Sequence, residues 1–368
     1  MSASKATARK QNKKLDNRAF EFGPMSPYDR FRINRSLLRQ GKPLHSQTIP
    51  DDVLVIDGHP ANVRIPAEQV FGFVKSIFSN SDALKLLNSS PIIGVMSDRM
   101  SANGRAGILG GLWPKHFINV TVGSLLQGLV SLHRLYGHQG LQLLGPEFSR
   151  TATSRYYENK PFQIAINRNI TQQVVLGASY GMLAVFSHEL AHVLRGHTFF
   201  SKKHMSEKRI DEVVPAPISK GNSVRRVMEF DADDYAGKFL AGFLFRDFME
   251  ARNLLESEDG MRRFLFVAAG VSSLFLTFGA RTTDYYSGPI RAYVVLGSLL
   301  KSCSKDPGAV RWLDEQLGEM TADMIAAETI RPEEAVLRLD EMQEILEKVI
   351  PDRTRMENDW VSLRPWGR

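Results

Sequence analysis

The sequence predicts an α+β protein in which helices form most of the structure. Long stretches such as residues 179–198 and 223–255 have the composition and apolar spacing of helices, whereas strand-like runs are short. The chain has 368 residues, of which 43% are hydrophobic and 24% charged, as in ordinary globular proteins. A chain of this length can bury a substantial core as one large domain or as two smaller ones.

Residues 1–23 are predicted to be a disordered basic tail. Residues 1–16 contain five basic residues and one acidic residue, so they carry +4 of the net charge of +7. They lack apolar periodicity, and no apolar segment of a secretory signal follows them. A solubilising tail is favoured over a nucleic-acid arm, so we do not expect a nucleic-acid partner.

Residues 24–150 are expected to form an α/β region of unknown role. The glycine-rich stretch 104–111 lacks the Lys-Ser/Thr of a phosphate loop, so it is predicted to be a loop or turn. Asp57-Gly58 is a turn signal between two strand-like runs. The predicted elements are, in order, strands at 53–56 and 61–65, a helix at 67–78, a strand at 91–96 and a helix at 120–136.

A possible metal site begins with the sequence His188-Glu189-Leu190-Ala191-His192, which lies in a predicted helix. Residues four apart share one helix face, so both histidines could bind the same ion. Glu189 follows the first histidine and is the candidate general base. This spacing is typical of zinc metallopeptidases.

A third ligand is expected from a later helical segment. Glu229 and Asp233 are again four residues apart and point the same way. Two histidines and one glutamate are a known catalytic zinc set, so Glu229 is the candidate third ligand. Asp233 is then placed to accept the outer N–H of a ligand imidazole.

Alternatives to these assignments remain open. Glu229 could pair with Arg225 or Arg226 at the surface, and Asp231 and Asp234 are neighbouring alternatives to Asp233. His197 could hydrogen-bond behind the ligands or cap the helix C-terminus. The six other histidines have no metal-type spacing; they are His45, His59, His116, His133, His138 and His204.

The two motifs resemble those of gluzincin metallopeptidases, especially the HtpX-like heat-shock peptidases and the prenyl-protein peptidases. The phage-exclusion peptidase Lit is a weaker resemblance. The likeness covers about residues 162–294 and implies a zincin-like core at 151–305. The alternating residues 162–167 predict an edge strand, which could pair with an extended substrate. It also implies one Zn²⁺ per chain and a protein or peptide substrate. Arg291, Tyr285 and Tyr286 lie where these families stabilise the oxyanion and are candidates for that role.

Two apolar stretches, 264–279 and 293–300, are too short to span a bilayer and are predicted to be buried helices. We therefore expect no transmembrane segment. The single cysteine, Cys303, excludes an intramolecular disulfide and a cysteine-cluster metal site. This usage suits a reducing compartment and predicts a cytoplasmic protein.

Residues 306–368 are predicted to be a helical extension. Pro332 suits a first helical turn, and apolar residues three or four apart follow until Pro351, which is expected to end the helix. The sequence as a whole predicts a zinc-dependent endopeptidase with Glu189 as its base. The alternative is a non-catalytic, metal-containing binding protein whose basic tail contacts nucleic acid. The sequence does not indicate an oligomeric state.

Overall fold

The computed structural model describes most of the chain. The described residues are 20–23, 25–39, 54–56, 59–61, 64–80, 92–97, 102–109, 115–137, 164–166, 168–204, 209–211, 222–276, 285–327, 330–332 and 339–361. Residues 1–19 of the predicted tail lie outside these ranges. Helices dominate the described part and a small mixed sheet accompanies them, which confirms the predicted mainly helical α+β class.

A five-stranded sheet has the strand order β1-β4-β6-β5-β8. The parallel pair β4–β6 is at its centre, and the other neighbours pair antiparallel. The central strands β4, β5 and β6 are buried almost throughout. The strands are β1 (Glu21–Phe22), β4 (Ile92–Ser97), β5 (Gly104–Leu109), β6 (Lys115–Thr121) and β8 (Arg209–Asp211).

The prediction of a loop at 104–111 is wrong, because residues 104–109 form strand β5. A Cβ atom at Gly107 would lie 2.6 Å from the ring of Phe117 on β6, so only glycine leaves room for that ring. The glycine therefore serves cross-strand packing, and pairing to β6 and β8 overrides its poor strand propensity.

A second, three-stranded sheet contains the predicted hairpin. β2 (Leu54–Ile56) pairs antiparallel with β3 (His59–Ala61), so the second strand begins two residues earlier than predicted. β7 (Ile164–Ile166) pairs parallel with β2 and lies at the edge of the described sheet, as expected for the strand at 162–167.

Helices make up the remaining elements. The predicted helix at 179–198 is longer at its start and ends at Leu194, and the one predicted at 223–255 ends at Leu244. The helices are α1 (Pro27–Leu38), α2 (Arg64–Asn80), α3 (Val122–Gly137), α4 (Arg168–Leu194), α5 (His197–His204), α6 (Asn222–Leu244), α7 (Arg246–Ala251), α8 (Glu258–Phe275), α9 (Gly288–Cys303), α10 (Ala309–Ala326), α11 (Leu339–Glu344) and α12 (Ile350–Val361).

Helix α4 lies at the centre of the main core and packs against α2, α3, α6 and α8. Among the described residues, only its segment Gln172–Leu194 is long and apolar enough to cross a membrane. Its most apolar stretch is 83% buried inside the structure, which is the environment of a core helix. The predicted apolar helices correspond to α8 and α9, and both contribute many residues to the same core.

The C-terminal segment continues beyond the position where the sequence predicts its end. Pro351 lies in the first turn of α12, and the chain stays helical to Val361. A π-helical turn at Ile345–Val349 precedes it. Proline lacks an N–H and is tolerated at the start of a helix, so the change of helix type accommodates it.

Candidate metal centre

Three side chains from two helices meet at one buried point. His188 and His192 lie one turn apart on α4, and Glu229 comes from the facing helix α6. Their exposed fractions are 0%, 0% and 2%. Within the described ranges, no other group of three such side chains comes close enough to hold an ion.

The ligand atoms of this group have the spacing that a small divalent ion needs. The two Nε2 atoms are 3.0 Å apart. His188 Nε2 lies 3.1 Å from Glu229 Oε2, and His192 Nε2 lies 3.4 Å from Glu229 Oε1. Tetrahedral ligand atoms at metal bonds of about 2.0–2.1 Å are about 3.3 Å apart. The spacing of the group therefore suits a metal ion.

Asp233 fixes the orientation of His188. Its Oδ1 lies 2.7 Å from His188 Nδ1, so the carboxylate stabilises a proton on Nδ1 and Nε2 keeps its lone pair for the site. Asp233 is itself held by the buried Arg291, whose Nε and Nη2 donate to it at 2.9 and 3.0 Å. Asp233 thus contacts His188, the imidazole behind which the sequence placed it.

His197 holds His192 in a similar way. Gly196 adopts a φ of +83°, ends α4 and turns the chain so that His197 lies back against the helix. The Nδ1 atoms of His192 and His197 are 3.0 Å apart, and His197 Nε2 lies 3.1 Å from Asp231 Oδ2. The adjacent Asp231 carboxylate stabilises a proton on His197 Nε2, and His197 Nδ1 then accepts from His192 Nδ1–H. The lone pair of His192 Nε2 then faces the site.

The contact of Asp233 with His188, and the chain of contacts from Asp231 through His197 to His192, leave two imidazole lone pairs and one carboxylate facing each other. A cation stabilises this arrangement. Burial lowers the pKa of His192, and it lowers the pKa of His197 to about 4, so both rings are neutral. Burial opposes ionisation of Glu229, yet the neighbouring histidines hold its pKa well below the usual range. Burial likewise opposes protonation of His188, but Asp233 and Glu229 raise its pKa well above normal. A proton or a metal ion is therefore favoured at Nε2 of His188.

Glu189 follows His188 on the same turn of α4 and is 1% exposed. It is the one carboxylate of the H-E-x-x-H sequence, and it is not part of the group that could ligate a metal. Glu189 is therefore a neighbour of His188 in the chain but not a ligand, as the H-E-x-x-H pattern requires of its general base.

The C-terminal segment is anchored to the residues behind the site. Asp231 accepts from Arg195 Nε at 2.7 Å and lies 2.5 Å from Arg353 Nε of α12. Glu357 accepts from Arg195 at 2.8 Å, and the Trp360 ring packs edge-on against His197 with centroids 4.5 Å apart. Burial of Asp231 opposes its ionisation, but His197, Arg195 and Arg353 together lower its pKa.

The alternatives left open by the sequence are resolved for several residues. Arg226 pairs with Glu344, and Glu229 faces the histidines. Asp231 does not join the ligand group; it supports His197 instead. Asp234 accepts from Ser298, Lys238 and Arg353, away from the ligands.

The three oxyanion candidates lie in different surroundings. Arg291 is closest to the site, with Nη2 3.7 Å from Glu229 Oε2, and its guanidinium lies over the Tyr285 ring at 5.7 Å. Tyr286 packs into a separate hydrophobic cluster, which also contains Phe200 and Trp360. Sequence spacing gave no signal for the support of the site by Arg195, Arg353 and Trp360, because two of them lie more than a hundred residues after the histidines.

No family model, curated protein or solved structure matches this chain. The assignment of the site therefore rests on its own geometry and on the chemistry of its residues.

Proposed function

We propose that the chain is a zinc-dependent endopeptidase with a zincin-like core. The observation that supports this most is the meeting of His188, His192 and Glu229 at ligand spacing, with Glu189 next to His188 in the chain. Two histidines and a glutamate are a catalytic zinc set that keeps one position open for water or substrate. The resemblance of both motifs to gluzincins points to the same activity.

Each residue has a role in this proposal. A bound zinc ion would polarise the scissile carbonyl and lower the pKa of a water molecule to about 7. Glu189 would take a proton from the attacking water and pass it to the leaving amine. Asp233 and the Asp231–His197 pair would keep both imidazoles in the ligating tautomer. Arg291 would hold Asp233 in place and remains a candidate for binding the oxyanion.

An extended substrate needs a nearby strand, and β7 does not supply one. His188 lies twenty residues after Arg168, the first residue of α4, so helix rise puts β7 about 30 Å from the ligands. Strand β8 is better situated, because it is an edge strand of the described five-stranded sheet and packs against α5, which follows the ligand helix. We propose β8 as the strand that pairs with substrate.

The burial of the site favours one second candidate, a structural metal centre. Structural zinc sites are closed, and the ligands and Glu189 are here at most 2% exposed. Hydrolysis would require the site to open. Helix α12 is the element that would move, because it contacts the residues behind the site. A structural site would need no general base, so Glu189 distinguishes the two candidates.

The decisive experiment compares wild type with Glu189→Gln. The change keeps the shape of the side chain but removes the proton acceptor. We expect one zinc per chain in both proteins and new protein termini only in cells that express wild type. Proteome-wide detection of new termini measures the second quantity, and elemental analysis measures the first. Glu319→Gln, on the exposed face of α10, is the matched control and should behave as wild type.

Cleavage at the wild-type rate by zinc-loaded Glu189→Gln would refute the proposed mechanism. Absence of new termini with either protein, together with retained zinc, would favour the structural metal centre.

A further inference from the structure

A positively charged cleft lies on the outer side of helix α1, away from the metal ligands in sequence. α1 is anchored by Ile33 and Leu37, which are buried against the sheet, and by Asp29, which accepts from Lys115 at 2.6 Å. A capping box between Ser26 and Asp29 begins the helix. These contacts fix the position of α1 against the sheet, and the other side chains of the helix face outward.

The displayed face of α1 carries aromatic rings and arginines. Tyr28, Arg32, Arg35 and Arg39 follow one another at spacings of four, three and four residues, so they form one stripe. Tyr28 and the adjacent Phe31 are 65% and 58% exposed, which is unusual for side chains of this size. The stripe forms one wall of a cleft of about 580 Å³, and Ile108, Phe117 and Lys202 contribute to its other side.

Within the described part of the chain, most cationic side chains of this cleft lack an acidic partner. Its described lining residues include four cationic side chains and no carboxylate. Arg35, Arg39 and Lys202 have no acidic partner among the described residues, whereas the neighbouring Arg30 and Lys115 pair with Glu21 and Asp29. The net charge of the chain outside the tail is small, because acidic residues elsewhere compensate for the cationic side chains of the cleft. The net charge therefore gives no indication of this local positive charge. The cleft therefore has the electrostatics of an anion-binding site.

We propose that this cleft binds single-stranded nucleic acid. Guanidinium groups bind phosphates through directed hydrogen bonds, and exposed aromatic rings stack on bases of any sequence. The stripe from Arg32 to Arg39 extends about 10 Å along the helix axis, which is long enough to contact more than one phosphate of a strand. An acidic peptide would use the arginines but has no flat face for Tyr28 and Phe31. The proposal does not depend on the metal site.

Fluorescence anisotropy with the full chain and a labelled oligo-dT of about 15 nucleotides tests this, since single-strand binding sites have lengths of this order. Tyr28→Ala and Phe31→Ala should each weaken binding roughly 5- to 100-fold, as stacking losses do. Neither change alters the charge, so electrostatic binding by residues 1–16 would be unaffected. Tyr28→Phe keeps the ring and should restore binding. Because both rings are exposed, the variants should fold as wild type, which circular dichroism can check.

The salt dependence tests the arginines. Arg35→Gln should reduce the slope of log affinity against log salt by about 0.7, the value for one phosphate contact on a single strand. Arg311→Gln removes the same charge from the exposed face of α10 and is the matched control. Equal effects of the two changes, or wild-type affinity in both ring variants, would overturn the proposal. Competition by polyglutamate as strong as by unlabelled oligo-dT would overturn it in favour of an acidic peptide.

Discussion

The substitution His197→Phe tests whether the hydrogen-bond relay behind His192 controls metal binding. Phenylalanine keeps an aromatic ring against Trp360 but removes the acceptor for His192 Nδ1–H and the nitrogen that contacts Asp231. His192 can then adopt the other tautomer or turn, and its Nε2 lone pair is no longer fixed toward the site. Asp231 keeps its bonds to Arg195 and Arg353, so the surrounding charges remain paired.

The expected magnitude follows from the two bonds. Loss of a partner that orients a ligand typically weakens metal binding about 10- to 100-fold, or about 1.4–2.7 kcal/mol. In the metal-free protein, the neutral bond to His192 contributes about 1 kcal/mol and the bond to the Asp231 carboxylate about 1.5–3 kcal/mol. The free energy of unfolding should therefore fall by about 2.5–4 kcal/mol.

The assay is competition for zinc against a chromophoric chelator, with urea unfolding of the metal-free protein in parallel. His133→Phe is the matched control, because it makes the same change at a buried histidine of α3 that is not part of the ligand group. It should leave the affinity for zinc unchanged. A His197→Phe protein that binds zinc within twofold of wild type would refute the relay.

Four further outcomes are expected. Glu229→Ala leaves two ligands, so the protein should lose nearly all zinc by elemental analysis; unchanged content would remove Glu229 from the site. Asp233→Asn should weaken zinc binding about 10- to 100-fold in the chelator assay, and wild-type affinity would show that the charge of Asp233 does not matter. Burial lowers the pKa of His116 and of His133 to about 4, from about 6.5 when unfolded. The stability that these neutral rings provide is complete above pH 6.5 and is lost as the pH falls toward 4, at up to about 1.4 kcal/mol per pH unit for each ring. Urea unfolding at several pH values measures this, and a His133→Phe protein with the wild-type slope would contradict it. Trp360→Ala should reduce the free energy of unfolding by about 3–5 kcal/mol, because its indole is fully buried; a loss below 1 kcal/mol would mean that α12 does not stabilise the fold.

The helices and the ligand spacing could be predicted because both depend on local periodicity. His188 and His192 are four residues apart on any helix, and Glu229 and Asp233 repeat the relation. The strand at 104–109 could not be predicted, because Gly107 is favourable there only against the Phe117 ring of a neighbouring strand. Strand propensity is a property of a single residue type, whereas the formation of β5 depends on the strands that pair with it.

The support of the site was only partly predictable. His197 was a recognisable candidate, but its role depends on Gly196, whose left-handed conformation turns the ring back toward His192. Arg353 and Trp360 are far from the site in sequence and reach it only through the packing of α12. Tertiary contacts over such distances leave no periodic signal in a single sequence.

The most direct test of the central claim is X-ray absorption at the zinc edge on the purified, zinc-reconstituted chain. We predict one zinc per chain, bound by two imidazole nitrogens at about 2.0–2.1 Å and one carboxylate oxygen at about 2.0–2.2 Å, with a further light ligand in the open position. The imidazole signal should disappear from a protein in which His188 and His192 are both replaced by alanine. A chain that binds no zinc, or one that gives an unchanged spectrum after this double replacement, would contradict the assignment of the metal centre to His188, His192 and Glu229.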